Sequence, residues 1–192
     1  TQKIQELAWK GWSKRSMADM GNPDDSSKSH SEAVSSFSSN ADIEAYNQAI
    51  ASVRKSDWAG ALAHLDPLLK PYRNNPDVQS LACLIFSEQP VMLPAAKRFC
   101  AESIRLEPNN PKPRVWLIDA HLSAQQTEGV RELVDETITL LESLESPNDG
   151  HLQFLAGICY RSDYKPEALR LTKLMPANDQ TKALRRWATS KR

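Results

Sequence analysis

The chain has 192 residues, 40% of them hydrophobic and 25% charged, with 24 Lys plus Arg against 24 Asp plus Glu. That composition supports a packed core and excludes wholesale disorder or a collagen-like fibre. A formal charge of zero excludes a net field that would make nucleic acid or a membrane surface the default partner. No run approaches the roughly 20 apolar residues that cross a bilayer. With no initiator Met and no signal-peptide pattern, Thr1 is expected to lie inside a longer gene product or to mark a trimmed start.

In chain order, residues 1–22 come first, read as an amphipathic helix with Ile4, Leu7, Ala8 and Trp12 on one side. Lys3, Lys10, Lys14 and Arg15 add positive charge, while Gly11 weakens the helix. Three uses stay open: intramolecular packing on the remainder of the chain, a segment below a membrane tether upstream of Thr1, or a ligand on a leash. Residues 23–40 hold eight serines among 18 and read as a flexible linker.

From residue 41 onward the apolar spacing is helical. Ile43, Tyr46, Ile50 and Val53 recur at three and four, and so do Val78, Leu81, Ala82 and Ile85. Val115, Ile118 and Leu122 form a third stripe, with Phe154, Ala156, Ile158 and Tyr160 on a fourth helix. A turn and a second helix follow each: WAGALAHL, PAAKRFCAESIRL, EGVRELVDETITLLESL and KPEALRLTKL. Prolines punctuate the boundaries, where a missing N–H is least costly. Pro67 and Pro71 are expected to kink or end the second helix early, and EQPVMLP reads as a long turn. The last stretch, 179–192, reads as a basic helix capping the final hairpin, with Leu184, Trp187 and Ala188 inward.

The segments repeat. Asn74-Asn75-Pro76 returns 35 residues later as Asn109-Asn110-Pro111, and Pro147-Asn148 and Asn178 close later segments. Ser56-Asp57-Trp58 returns as Ser162-Asp163-Tyr164, 106 residues on. A shared period near 35 is a solenoid signature. On Ala156-Gly157…Tyr160 with Pro166-Glu167-Ala168-Leu169, and on Ala96…Cys100 running to Leu106-Glu107-Pro108, residues 41–178 resemble the tetratricopeptide repeat family. The first unit adds Asp57-Trp58 and Ala61 with Leu65, whereas Leu117-Ile118 and Val130 depart from the pattern in the third. Gly157, Ala49, Ala61, Ala96 and Ala168 are where paired helices are expected to approach closely.

The expected fold is therefore all-α: an α-solenoid of about four helix-turn-helix hairpins over 41–178 with the capping helix behind it. The resemblance implies a concave groove lined by Tyr46, Ile50, Leu81, Ile85, Val115, Asp119, Phe154 and Arg161. These are mostly apolar or aromatic, without the basic cluster that grips a carboxylate tail, so an apolar or amphipathic peptide segment is the expected ligand. The function expected is a non-enzymatic scaffold or adaptor, with a bacterial envelope, secretion or pilus assembly as one setting. The alternative is binding of nucleic acid or an anionic surface by Lys182, Arg185, Arg186, Lys191 and Arg192.

No phosphate loop, dinucleotide fingerprint, zinc motif or nucleophile elbow is present, and no catalytic residue, metal site or cofactor is expected. His30, His64, His121 and His151 lack partners at ligand spacing and read as structural. Residues 128–145 carry a local charge of −5, read as a solvated face, with an acidic docking strip as the functional alternative. Cys83, Cys100 and Cys159 lie in apolar runs without a CxxC pair and read as buried reduced thiols. That reading favours a cytoplasmic, reducing compartment and leaves the periplasm open.

Overall fold

The computed structural model describes residues 37–190. The expected N-terminal helix and most of the serine-rich linker lie outside the described residues. Within them the fold is all-α, with nine α-helices, one 3-10 turn and no strand. The helices are α1 (Asn40–Arg54), α2 (Trp58–Leu69), α3 (Pro76–Ser87), α4 (Leu93–Leu106) and α5 (Lys112–Ser123). Then come α6 (Val130–Ser143), α7 (Asp149–Arg161), α8 (Lys165–Leu174) and α9 (Asp179–Thr189), with the 3-10 turn at Pro90–Met92. They fall into two compact units, residues 37–127 with α1–α5 and residues 128–190 with α6–α9. The boundary cuts the loop of the third expected hairpin.

The repeating asparagines are helix caps. Asn75 Oδ1 accepts from the backbone N–H groups of Asp77 and Val78 at 2.9 and 3.1 Å, starting α3. Asn148 does the same for Gly150 and His151 at the start of α7, and Asn178 accepts from Thr181 N at α9. Ahead of α5, Asn110 Oδ1 accepts from Lys112 N at 3.0 Å. A short carboxamide at that point satisfies N–H groups that no earlier turn of helix can reach. The first helix uses Ser39 instead. Its Oγ accepts from Asp42 N at 3.1 Å, capping the start of α1, and donates to Asp42 Oδ2 at 2.7 Å. Ser39 and its neighbour Phe37 belong to the fold, although the sequence places both in the linker. Phe37 sets its ring 5.2 Å from Tyr46 and 4.9 Å from Tyr72.

The helix-to-helix turns repeat as well. Ser56, Gln125 and Asp163 each adopt φ of 57°, the left-handed conformation that reverses a chain after a helix. In each turn the next residue's N–H reaches back five residues: Asp57 to Ser52 O, Gln126 to His121 O, Tyr164 to Cys159 O. The turns therefore align Ser56 with Asp163, and the two Ser-Asp-aromatic markers are offset by one residue in space. Asp57 caps α2, accepting from Gly60 N at 2.9 Å, while Tyr164 caps α8 without a side-chain bond. Between α3 and α4 the left-handed turn is replaced by Glu88–Met92, with Pro90 opening the 3-10 segment.

Pro67 does not end α2. The helix continues to Leu69 with Pro67 on its exposed side, and it stops before Pro71. Only the last turn of the helix forgoes a bond there, so the packing of Leu65 and Leu68, 0 and 1% exposed, carries it through.

In residues 37–127, α1 packs on α2, α3 on α4, and α3 also meets α2 and α5. Ala49, Ala61 and Ala96 are fully covered, which is what close helix approach requires. In residues 128–190, α8 packs against α6, α7 and α9, with Ala168 and Leu171 fully covered and Gly157 buried. Each large aliphatic side chain enclosed in this way contributes about 1.5–3 kcal/mol.

The cysteines correct the expectation of reduced thiols. Cys83 on α3 and Cys100 on α4 form a buried disulfide, their Cα atoms 4.6 Å apart. Both point into the same interhelical seam, close enough to bond. The inference from idle thiols to a reducing compartment falls for this pair. Cys159 is free and buried; burial, then the Glu167 charge, pushes its thiol up to about 12.

Candidate functional site

The residues expected to line a groove are placed mostly in the core. Tyr46, Ile50, Leu81 and Ile85 share one apolar cluster of the first unit, none more than 8% exposed. Val115 on α5 is 1% exposed and Phe154, in the second unit, 2%. Asp119 is half-buried and Arg161 is exposed. Burial, with the charges of Asp77 and Glu107 behind it, raises the Tyr46 phenol above its ordinary range. Six of the eight side chains are thus committed to packing, because a helical stripe of apolar residues marks core and groove alike.

The first unit does hold an accessible concavity. An open cleft of about 470 Å³ lies where the end of α2, the start of α3 and the middle of α4 meet. Leu69 and Phe99 give it an apolar lining, and Gln79 joins them from α3. Phe99 stacks on Phe86 with ring centroids 5.0 Å apart and planes 3° from parallel, which fixes the aromatic wall. Lys70, Arg73 and Arg98 stand around this lining, and the Arg98 guanidinium lies 4.4 Å from the centre of the Phe99 ring.

One acid completes the cleft. Glu102 is engaged by Arg105, whose Nε and Nη2 donate to its two oxygens at 3.0 and 2.6 Å. Those bonds, against a smaller effect of burial and with the Arg105 and Arg73 charges adding, hold the Glu102 carboxyl below its ordinary range. The disulfide bridges the two helices that form the cleft walls: Cys83 lies one turn beyond Gln79, and Cys100 follows Phe99.

The other candidates take structural places. His121 Nδ1 donates to Gln126 O at 3.1 Å, holding the turn after α5, and burial keeps its pKa below the ordinary value. In α9, Arg185 donates to Thr172 O and Thr172 Oγ1. Trp187 packs on Tyr160 with centroids 4.8 Å apart, so both serve as the cap on the second unit. Of the acidic strip, Asp135 and Glu142 accept from Arg170 of α8. Among the described residues no cluster of His, Cys, Asp and Glu has the grouping of a metal site, and no helix is long and apolar enough to cross a membrane.

No family model, curated protein or solved structure matches the chain.

Proposed function

We propose that this chain is a non-enzymatic protein-interaction module, a scaffold or adaptor that holds a peptide segment of a partner. The observation that carries this reading is the cleft between α2, α3 and α4, apolar in its lining and cationic around it. Its volume lies in the range of sites that enclose a few side chains of a ligand. Recurring asparagine caps and left-handed turns support a helical-repeat organisation, in which short helix pairs present surface and enclose little reactive chemistry.

The reading is tested by placing a photo-crosslinking amino acid at position 73, 98 or 102 of the full chain in the producing cell. A discrete polypeptide adduct from these positions, absent with the crosslinker at exposed Asp149, is expected. If irradiation yields no polypeptide adduct at any of the three, the module reading is lost.

A further inference from the structure

We infer that the α2–α3–α4 cleft selects an acidic peptide segment carrying an apolar side chain, with Gln79 reading its backbone. The inference rests on the module reading above and names the ligand chemistry of the same site. Three observations carry it. First, Lys70, Arg73 and Arg98 make no ion pair among the described residues, whereas the one acid in the cleft, Glu102, is bonded to Arg105. An entering carboxylate therefore meets three cations and an acid whose charge is already answered. Second, Leu69 and Phe99 supply the apolar contact, and Phe99 also seats the Arg98 guanidinium above its ring. Third, Gln79 is 3% exposed as a whole, and what it exposes lines the cleft, where no described protein group bonds its amide. Its amide atoms are not sealed from solvent, so they are open to a ligand in the cleft. Facing the cleft, the side chain offers two N–H donors and two acceptor lone pairs, the complement of a peptide C=O and N–H.

Charge complementarity and the unpaired amide together favour an extended acidic segment over a basic or purely apolar one. The site differs from the groove expected from the sequence. Its cations Lys70, Arg73 and Arg98 are exposed, while Phe99 and Gln79 reach it from the edge of the core.

The test is a selection of short random displayed peptides on the full, oxidised chain, followed by anisotropy titrations of the winners with a fluorescent label. Enriched sequences are expected to pair Asp or Glu with Leu, Phe or Ile, and to lose affinity as NaCl rises from about 0.05 to 0.5 M. Arg73→Glu with Arg98→Glu should weaken them about tenfold or more, and Gln79→Leu by a smaller factor that salt does not change. Arg73→Gln with Arg98→Gln keeps the readout if charge reversal disturbs folding, which circular dichroism reports. Enriched peptides that bind every variant equally, or that carry no acid, overturn the cleft assignment and leave the module reading standing. Self-association of the chain that the Arg73/Arg98 variant abolishes also overturns it, because the occupant is then a second copy. Failure to enrich any peptide removes the module reading and this inference together.

Discussion

Arg131 on α6 donates through Nε and Nη2 to the two carboxylate oxygens of Glu167 on α8, at 2.7 and 3.3 Å. Glu167 is buried while Arg131 is half exposed, and the guanidinium also lies 5.3 Å from the Tyr164 ring. Burial alone would raise the Glu167 carboxyl; the Arg131 bonds, its own backbone bond and the charges of Arg131 and Arg170 outweigh this and hold it below its ordinary range. Stability from a depressed carboxyl is present above the unfolded value and lost as pH falls through the folded one. Arg131→Ala is expected to destabilise the chain at pH 7, because it leaves the buried Glu167 carboxylate without its partner. In urea melts the gap between variant and parent should shrink as pH falls below the ordinary carboxylate range and close only once the lowered Glu167 carboxyl of the folded parent is protonated. A gap constant with pH would show that lost packing against Tyr164, and not the ion pair, was responsible.

Asn148 accepts from two N–H groups at the first turn of α7. Asn148→Ala should destabilise the chain by about 1 kcal/mol, whereas Asn148→Asp keeps the acceptor and favours the helix dipole. Thermal melts of the two variants distinguish a cap from a merely polar loop residue.

The boundaries were legible in the sequence as recurring turn markers, and the structure shows that their asparagines are caps. The recurring Asn-Asn-Pro and Pro-Asn pairs mark segment ends, and the helical stripes place KPEALRLTKL on the residues of α8. The cleft was not legible, because Leu69, Gln79 and Arg98 come from three helices and share no linear spacing. Gln79 did leave a signal: it is a polar residue on the inward side of an otherwise apolar helix. The groove failed for a different reason. Tyr46 and Phe154 satisfy a periodicity that reports a buried face without saying what buries it.

Ala168 is fully covered where α8 meets its neighbours. Ala168→Leu is expected to cost about 1–3 kcal/mol through overpacking, measured by urea unfolding. A neutral result would mean that the helices separate at that point without loss.

The disulfide was readable in hindsight from symmetry. Cys83 lies eight residues before Val91 and Cys100 eight after Met92, so a hairpin folding at that turn sets them opposite each other. Peptide mapping should show one bridge, and reduction should lower stability by about 3 kcal/mol, the loop-closure value for a segment of this length. With its thiol pushed up to about 12 by burial, Cys159 should resist iodoacetamide at pH 8 until denaturant is added. Labelling of Cys159 in the native protein would contradict its enclosure.

Three cysteines permit three different bridges, and only one is compatible with both units being folded. Cys159 is sealed within residues 128–190 while the bonded pair is sealed within 37–127, so any link between them requires a unit to open first. A chain that folds before it is oxidised therefore reaches a single isomer unaided. One that meets oxidant while still unfolded is exposed to scrambling and depends on an isomerase for repair.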